Sequence, residues 1–263
     1  MNKLRQLLAE IDNQGYKAYK HLVGDYSFPD FLLRIDHVQG DPFADPSRCR
    51  IFIKATKAAI PSSLFNTRSR TIALEDFLGR RFTHVISQEV QGGRGDGMSG
   101  EMMIADYGQE VLERNAVLVQ DGEIEIRIRI GLPAVKRRVN AQQAIIMLCE
   151  ELPSVVAKGL NVLQTERSNV KQHVDSVEDQ QALREQLLAH HLVAFIADGS
   201  RLPRCSGIDD RPLADAVLFK APDSLALELT QPHAGNIRGL GIPKGVTLIV
   251  GGGFHGKSTL LHA

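Results

Sequence analysis

Tryptophan is missing from the 263 residues, aromatic side chains make up only 5%, and the three cysteines stand far apart at Cys49, Cys149 and Cys205. Few aromatics leave few platforms on which the bases of a single-stranded nucleic acid would stack. An odd number of cysteines without CxxC spacing excludes both a disulfide framework and a cysteine-based zinc site, so a reducing, cytoplasmic setting is expected. No charge of either sign is in excess. Lys plus Arg number 31 and Asp plus Glu number 31, so no global field draws the chain to nucleic acid or to an anionic membrane, and any such binding needs a local patch. No apolar run approaches the ~18 residues of a membrane span, and the opening MNKLRQLLAEIDNQG has no long apolar core of a secretion signal. Internal repeats and low-complexity tracts are also lacking.

What is present is periodic. Leu4, Leu7, Leu8 and Ile11 fall on one helical face, and Gly15 follows as a stop. FLLRIDHV and RCRIFIK read as strands separated by the turn-rich QGDPFADPS, and a helix is expected from Thr71 through Ile72, Leu74, Phe77 and Leu78, followed by a β-like THVISQEV. Asp121-Gly122 marks a two-residue type I′ hairpin, because both central positions need φ > 0. In the strand after it, Ile124, Ile126, Ile128 and Ile130 face a core while Glu123, Glu125, Arg127 and Arg129 face water. A helix capped by Asn140 and interrupted near Pro153 follows. Ser176 to Asp179 has the form of a capping box ahead of Leu183, Leu187 and Leu188. LVAFIADGS, AVLFK, SLALELTQ and GVTLIVGGG read as strands, and RLPRCSGIDDRPL as an ordered loop.

The chemistry-bearing motif is GGGFHGKST, from Gly251 to Thr259, in which Gly251, Gly256, Lys257 and Ser258 satisfy G-x-x-x-x-G-K-[ST]. In such a phosphate loop, glycines at Gly251, Gly252, Gly253 and Gly256 let successive N–H groups turn toward a polyphosphate. Lys257 neutralises β- and γ-phosphate oxygens, and the Ser258 hydroxyl ligates Mg²⁺. Phe254 and His255 occupy positions often given to small residues. The bland alternative is a glycine-rich turn between strand and helix, but it gives Lys257, Ser258 and Thr259 little packing rationale. No Ser-His-Asp or Cys-His arrangement marks a catalytic residue.

IPKGVTLIVGGGFHGKSTLL resembles the phosphate loop of ABC-class ATPases. Together with GYKAYKHL, FPDFLLRIDHVQGDPFADPSRCR, IALEDFLGRRF, GQEVLERNAVLV, HVDSVEDQQALR and VAFIADGS, the chain is similar to the amino-terminal half of a bacterial family of predicted ABC-class ATPases. The resemblance implies an α/β fold: an α+β-like amino-terminal domain with a mixed sheet over 1–165, then the beginning of a P-loop ATPase core of ABC type over 166–263, truncated just after the Walker A loop. It implies ATP and Mg²⁺ as ligands, hydrolysis coupled to a conformational change, and a homodimer of the full-length protein. The magnesium-binding Asp with its adjacent Glu, the Gln loop, the signature motif and the switch His of that family lie downstream of the loop, and five residues follow Ser258. A fragment that does not hydrolyse ATP alone is therefore expected.

Other candidates are less specific. Gly95, Gly97 and Gly100 in GGRGDGMSG have G-x-G-x-x-G spacing, either as a structural turn or as a phosphate contact through the amides of Gly97 to Gly100. In the resembling family this stretch often reads G-x-G-K-S-G, and Met98 stands where the lysine would be. Arg68, Arg70, Arg80 and Arg81, and Lys136, Arg137 and Arg138, read as solvated faces or as a nucleic-acid surface. A nucleic-acid-binding module gated by nucleotide is thus the rival reading, and an inactive fragment a third. His190 and His191 have no metal-ligand spacing. Asp209, Asp210 and Arg211 form a charged loop, either a local ion pair or a contact to a nucleotide or partner subunit.

Overall fold

A computed structural model describes residues 2–253 and 255–262. By its internal contacts the chain divides into two compact units, Met1–Tyr107 with Val111–His173, and Gly108–Glu110 with Val174–Ala263.

The first unit opens with helix α1 (Asn2–Glu10), which buries Leu4 and Leu8, with Ile11 following on the same face. A 3₁₀ segment, Tyr16–Leu22, places Tyr16 and Tyr19 edge to face. Their hydroxyls donate to the carbonyls of Leu132 (3.2 Å) and Pro133 (2.7 Å). Strands β1 (Gly24–Ser27), β2 (Leu32–His37) and β3 (Ser47–Lys54) then form an antiparallel meander. Its second connection is clamped by Gln39 and Ser47: the Gln39 N–H donates to Ser47 Oγ and the Ser47 N–H to Gln39 Oε1. A short helical turn, α2 (Ala55–Ala58), leads to the long helix α3 (Arg68–Glu89), capped by Thr67, whose hydroxyl accepts from the Arg70 N–H.

Helix α3 begins earlier than the apolar pattern from Thr71 suggests, and it absorbs THVISQEV as far as Glu89. Phe82, Val85 and Ile86 are buried at spacings of three and four, so packing on one helical face outweighs the β-preference of the run. Strands β4 (Met102–Met103), β5 (Val117–Gln120) and β6 (Glu123–Ile130) complete a six-stranded sheet in the order β1-β2-β3-β6-β4, with β5 sharing the outer edge of β6. All strand pairings among the described residues are antiparallel, which corrects the expected mixed sheet. Asp121 and Gly122 at φ 52° and 76° make the anticipated hairpin, and all four isoleucines of β6 are buried.

The small ribbon β7 (Ala134–Val135) and β8 (Arg138–Val139) precedes helix α4 (Ala141–Ile146). Asn140 caps it as expected, its side chain accepting from the Gln143 N–H. The helix does not break at Pro153. It widens into a π segment, Met147–Glu151, and continues as α5 (Leu152–Thr165), with the Leu152 N–H donating to the Met147 carbonyl. Proline removes one N–H and crowds the carbonyl four residues back, and the wider turn accommodates both. Helix α3 packs on β5 and α5.

The second unit contains most of helix α6 (Arg167–Ala189). Ser176 to Asp179 lie inside this helix, so they cap nothing. Asp179 is buried and accepts from the backbone N–H groups of His233 (2.8 Å) and Ala234 (3.1 Å), fixing a turn far along the chain. Of the leucine stripe, Leu183 and Leu187 are half-buried and Leu188 is exposed. Strand β9 (Leu192–Ala197) lies at one edge of a three-stranded antiparallel sheet. RLPRCSGIDDRPL is a hairpin, β10 (Arg204–Ser206) and β11 (Asp209–Pro212), rather than a loop. AVLFK forms no strand. The sheet is completed by β12 (Ala226–Gln231) and β13 (Gly235–Pro243), in the order β12-β13-β9.

Among the charges buried beside the first core, Asp76 on α3 is held by Arg80 (2.6 Å) and Arg114 (3.3 Å), with His173 3.3 Å away. Its neighbour Glu75 accepts from the Val119 N–H at 2.8 Å. Burial raises the Glu75 carboxyl above its ordinary value, against the lowering by that N–H and by Arg68. A carboxyl whose folded pKa exceeds its unfolded one binds its proton more tightly when folded, so its contribution favours the fold at low pH and declines as pH rises through the folded value. Glu75→Gln, which keeps an acceptor for Val119, is therefore expected to gain stability relative to the parent at neutral pH. Urea unfolding followed across the acid range should show that gain shrinking as the pH is lowered.

Candidate functional site

The glycine-rich segment that ends the second unit is built on chain that has left its sheet. Strand β13 stops at Pro243, and residues 244–250 form no ladder among the described residues, so the strand expected at GVTLIVGGG is not made. Val246, Leu248 and Val250 are exposed. An apolar run becomes a strand only when a neighbour supplies hydrogen bonds and a covering face, and no described strand does so here.

Helix α7 (Lys257–His262) follows the loop, and the Leu260 N–H donates to the Gly256 carbonyl at 2.9 Å. Gly251 and Gly256 adopt φ of 152° and 76°, the region open to glycine. The Lys257 side chain folds back over the loop, its Nζ donating to the carbonyls of Gly251 (2.8 Å) and Gly252 (2.5 Å). The Gly252 N–H donates to His255 Nδ1 at 3.0 Å. Gly253 and Ser258 are exposed, Thr259 is half-buried, and Phe254 lies outside the described residues.

The structure thus brings Gly251, Gly252, His255 and Lys257 together around one small ring of backbone. No carboxylate among the described residues pairs with Lys257, whose partners are neutral carbonyls. Its charge is available to an anion, and a donor set of one ammonium plus glycine amides fits a phosphate. The Ser258 hydroxyl is on an exposed side chain beside Lys257. Among the described residues no group of three or more His, Cys, Asp or Glu side chains is arranged to hold a metal.

The second glycine pattern has a different fate. In GGRGDGMSG the Met98 N–H donates to Pro42, the Ser99 N–H to Asp96 and the Gly100 N–H to Gly131, all at the carbonyl and at 2.8–3.0 Å. Those amides are spent within the protein, which supports the structural-turn reading over an anion nest. A Cβ on Gly95, where φ is 141°, would stand 1.9 Å from the Ala134 carbonyl oxygen.

Five of the seven residues of the basic clusters are likewise engaged, whereas the Arg81 Nε is buried without a hydrogen-bond partner among the described residues and Lys136 pairs with no carboxylate there. Arg68 pairs with Glu113, Arg70 Nε donates to the Ser63 carbonyl, Arg80 is bound to Asp76, Arg137 pairs with Asp41 and Arg138 donates to the Asn13 carbonyl. Asp209 and Arg211 form a local ion pair at 2.6 Å, and the guanidinium holds the Asp209 carboxyl down to about 2. His190 and His191 are exposed at the end of α6.

Two substitutions check this geometry. Gly95→Ala is expected to cost about 2 kcal/mol or more in unfolding free energy, since a positive-φ clash with backbone leaves nothing flexible to yield. His255→Ala frees the Gly252 amide for a ligand, so a triphosphate probe should bind about 2- to 10-fold more tightly, the worth of one net hydrogen bond. Isothermal titration of parent and variant measures it.

Comparison with family models gives two matches: the amino-terminal domain of ATPases of the ABC class over residues 1–163, and the P-loop domain of ABC ATPases over residues 166–263. No match was found among curated proteins. Among the described residues no helix is long and apolar enough to cross a membrane. With a family model covering well over half of the chain, the chain belongs to the ABC-class P-loop ATPases.

Proposed function

We propose that the loop from Gly251 to Thr259 binds the polyphosphate of Mg-ATP, with residues 1–165 acting as the family's own amino-terminal domain and 166–263 as the opening of its ATPase core. One observation carries the reading: the Lys257 ammonium lies over the glycine loop with only neutral carbonyls as partners. A cation so placed has its binding partner yet to come.

On this reading the ligand phosphates displace the carbonyls of Gly251 and Gly252 from Lys257, and the Gly252 amide leaves His255 to donate to a phosphate oxygen. Gly253 and Gly256 supply further backbone to the cradle, Ser258 gives its hydroxyl to Mg²⁺, and Thr259 flanks it. Magnesium would neutralise phosphate charge there. No residue of this chain is assigned the task of activating water. Hydrolysis and the conformational change coupled to it belong to the assembled site, which we place between two copies of the full-length protein in a cytoplasmic setting.

The experiment is a titration with ATP and magnesium of the parent and of Lys257→Ala. Losing one charge-assisted contact is expected to weaken binding by about 10- to 100-fold, corresponding to about 1.5–3 kcal/mol. Equal affinity in the two proteins, or no magnesium-dependent affinity in the parent, overturns the proposal.

A further inference from the structure

A row-wise alignment of arginines lies in the first unit, on the sheet face turned away from its core. The alternation that buries Ile51 and Ile126 puts their neighbours outward, and the register aligns these neighbours across strands. Arg34 faces Arg50 and Arg50 faces Arg127, a row of three arginines across β2, β3 and β6. In the next row His37 faces Arg48, Arg48 faces Arg129, and Arg129 faces Met103 of β4.

The two rows differ in charge compensation. Arg34 is bound by Asp25 through two bonds of 2.7 Å, Arg50 by Asp36 at 2.8 and 2.6 Å, and Arg127 by Glu125 at 2.7 Å. Arg48 and Arg129 are exposed, and neither has a carboxylate within ion-pair distance among the described residues. Like charges directly opposite on an antiparallel pair destabilise it, so this placement lacks a structural reason. It also sits in a concavity: Arg48, Arg129, Asn115, Asp106 and Met103 to Ala105 are among the residues that line a cleft of about 800 Å³, a volume that accommodates a small organic ligand.

We propose that this cleft binds a phosphate monoester on a small hydroxylated carrier, a sugar phosphate or nucleoside monophosphate, with the phosphate between the guanidinium groups of Arg48 and Arg129. Guanidinium is the side chain best matched to a phosphate, offering two parallel donors in a rigid fork. The Asp106 carboxylate and the Asn115 amide, at the same cleft, suit the hydroxyls of the carrier. A nucleic-acid strand fits less well. Asp36 and Asp106 line the same cleft and repel a run of successive phosphates, and Phe52, an aromatic ring on this face, is already covered by Arg34 and Arg50 at 5.1 and 5.4 Å.

The inference is independent of nucleotide binding at the Gly251 loop, and its test removes that loop from the readout. The full chain carrying Lys257→Ala is titrated calorimetrically at low salt with ribose 5-phosphate, adenosine 5′-monophosphate and a single-stranded oligonucleotide. Saturable binding of either monophosphate is expected, the tighter of the two identifying the carrier. Adding Arg48→Gln with Arg129→Gln should weaken it at least tenfold, while the melting temperature holds or rises as the opposed charges are removed. Arg129→Lys alone, which keeps the charge and loses the fork, should weaken it by a smaller factor. The proposal is overturned if neither monophosphate binds, if affinity is unchanged in the double variant or in Arg129→Lys, or if the oligonucleotide binds more tightly than both monophosphates through the same arginines.

Discussion

The antiparallel pairing of β3 with β6 organises the first unit. It runs without a bulge through eight residue pairs, from Ser47 opposite Ile130 to Lys54 opposite Glu123, and joins segments far apart in sequence. Because side chains alternate with a period of two, this single register decides both faces at once. Cys49, Ile51 and Ile53 meet Ile124, Ile126 and Ile128 on the buried side, and Arg48, Arg50, Arg127 and Arg129 meet on the other. A slip by one residue would exchange these sets and drive guanidinium groups into the core, which is why the apolar face locks the arginine face without any contact among the arginines favouring it.

Both glycine-rich loops of the chain show that the residue type alone does not decide the role. Around Gly97 the amides point at carbonyls of Pro42, Asp96 and Gly131, and the loop serves as a staple between segments of one unit. At Gly252 the amide is held by a single imidazole, and the ammonium of Lys257 rests on loop carbonyls. Two of the three bonds of the first set reach outside their loop, to Pro42 and Gly131, whereas those of the second are all made within the loop itself. The destination of each N–H, rather than the spacing of the glycines, separates scaffold from site.

Local signals in the sequence carried well into the structure. Asp121-Gly122 and the isoleucine alternation predict the β5–β6 hairpin and its buried face because turn torsions and period-two burial are properties of neighbouring residues. Asn140 as a cap is equally local. The misses are the non-local cases. THVISQEV has strand-like composition, yet the core that Phe82 and Val85 enter makes it a helix. Ser176 and Asp179 have a capping spacing, yet Asp179 binds backbone more than 50 residues away. VTLIV has the composition of a buried strand, but a ladder needs a partner that composition cannot name. The phosphate loop was legible as a motif, while the fold-back of Lys257 and the bond from Gly252 to His255 were not, since spacing says nothing of rotamers. For the same reason Arg127 and Arg129 read as water-facing residues, and their alignment with Arg50 and Arg48 became visible only with the register.

The extended stretch ahead of the phosphate loop has a consequence for handling. Val246, Leu248 and Val250 face solvent on a backbone whose peptide groups join no sheet among the described residues. Short β-prone segments with unspent hydrogen bonds and no charge of their own template pairing between molecules. At high protein concentration this stretch is where self-association between copies would begin.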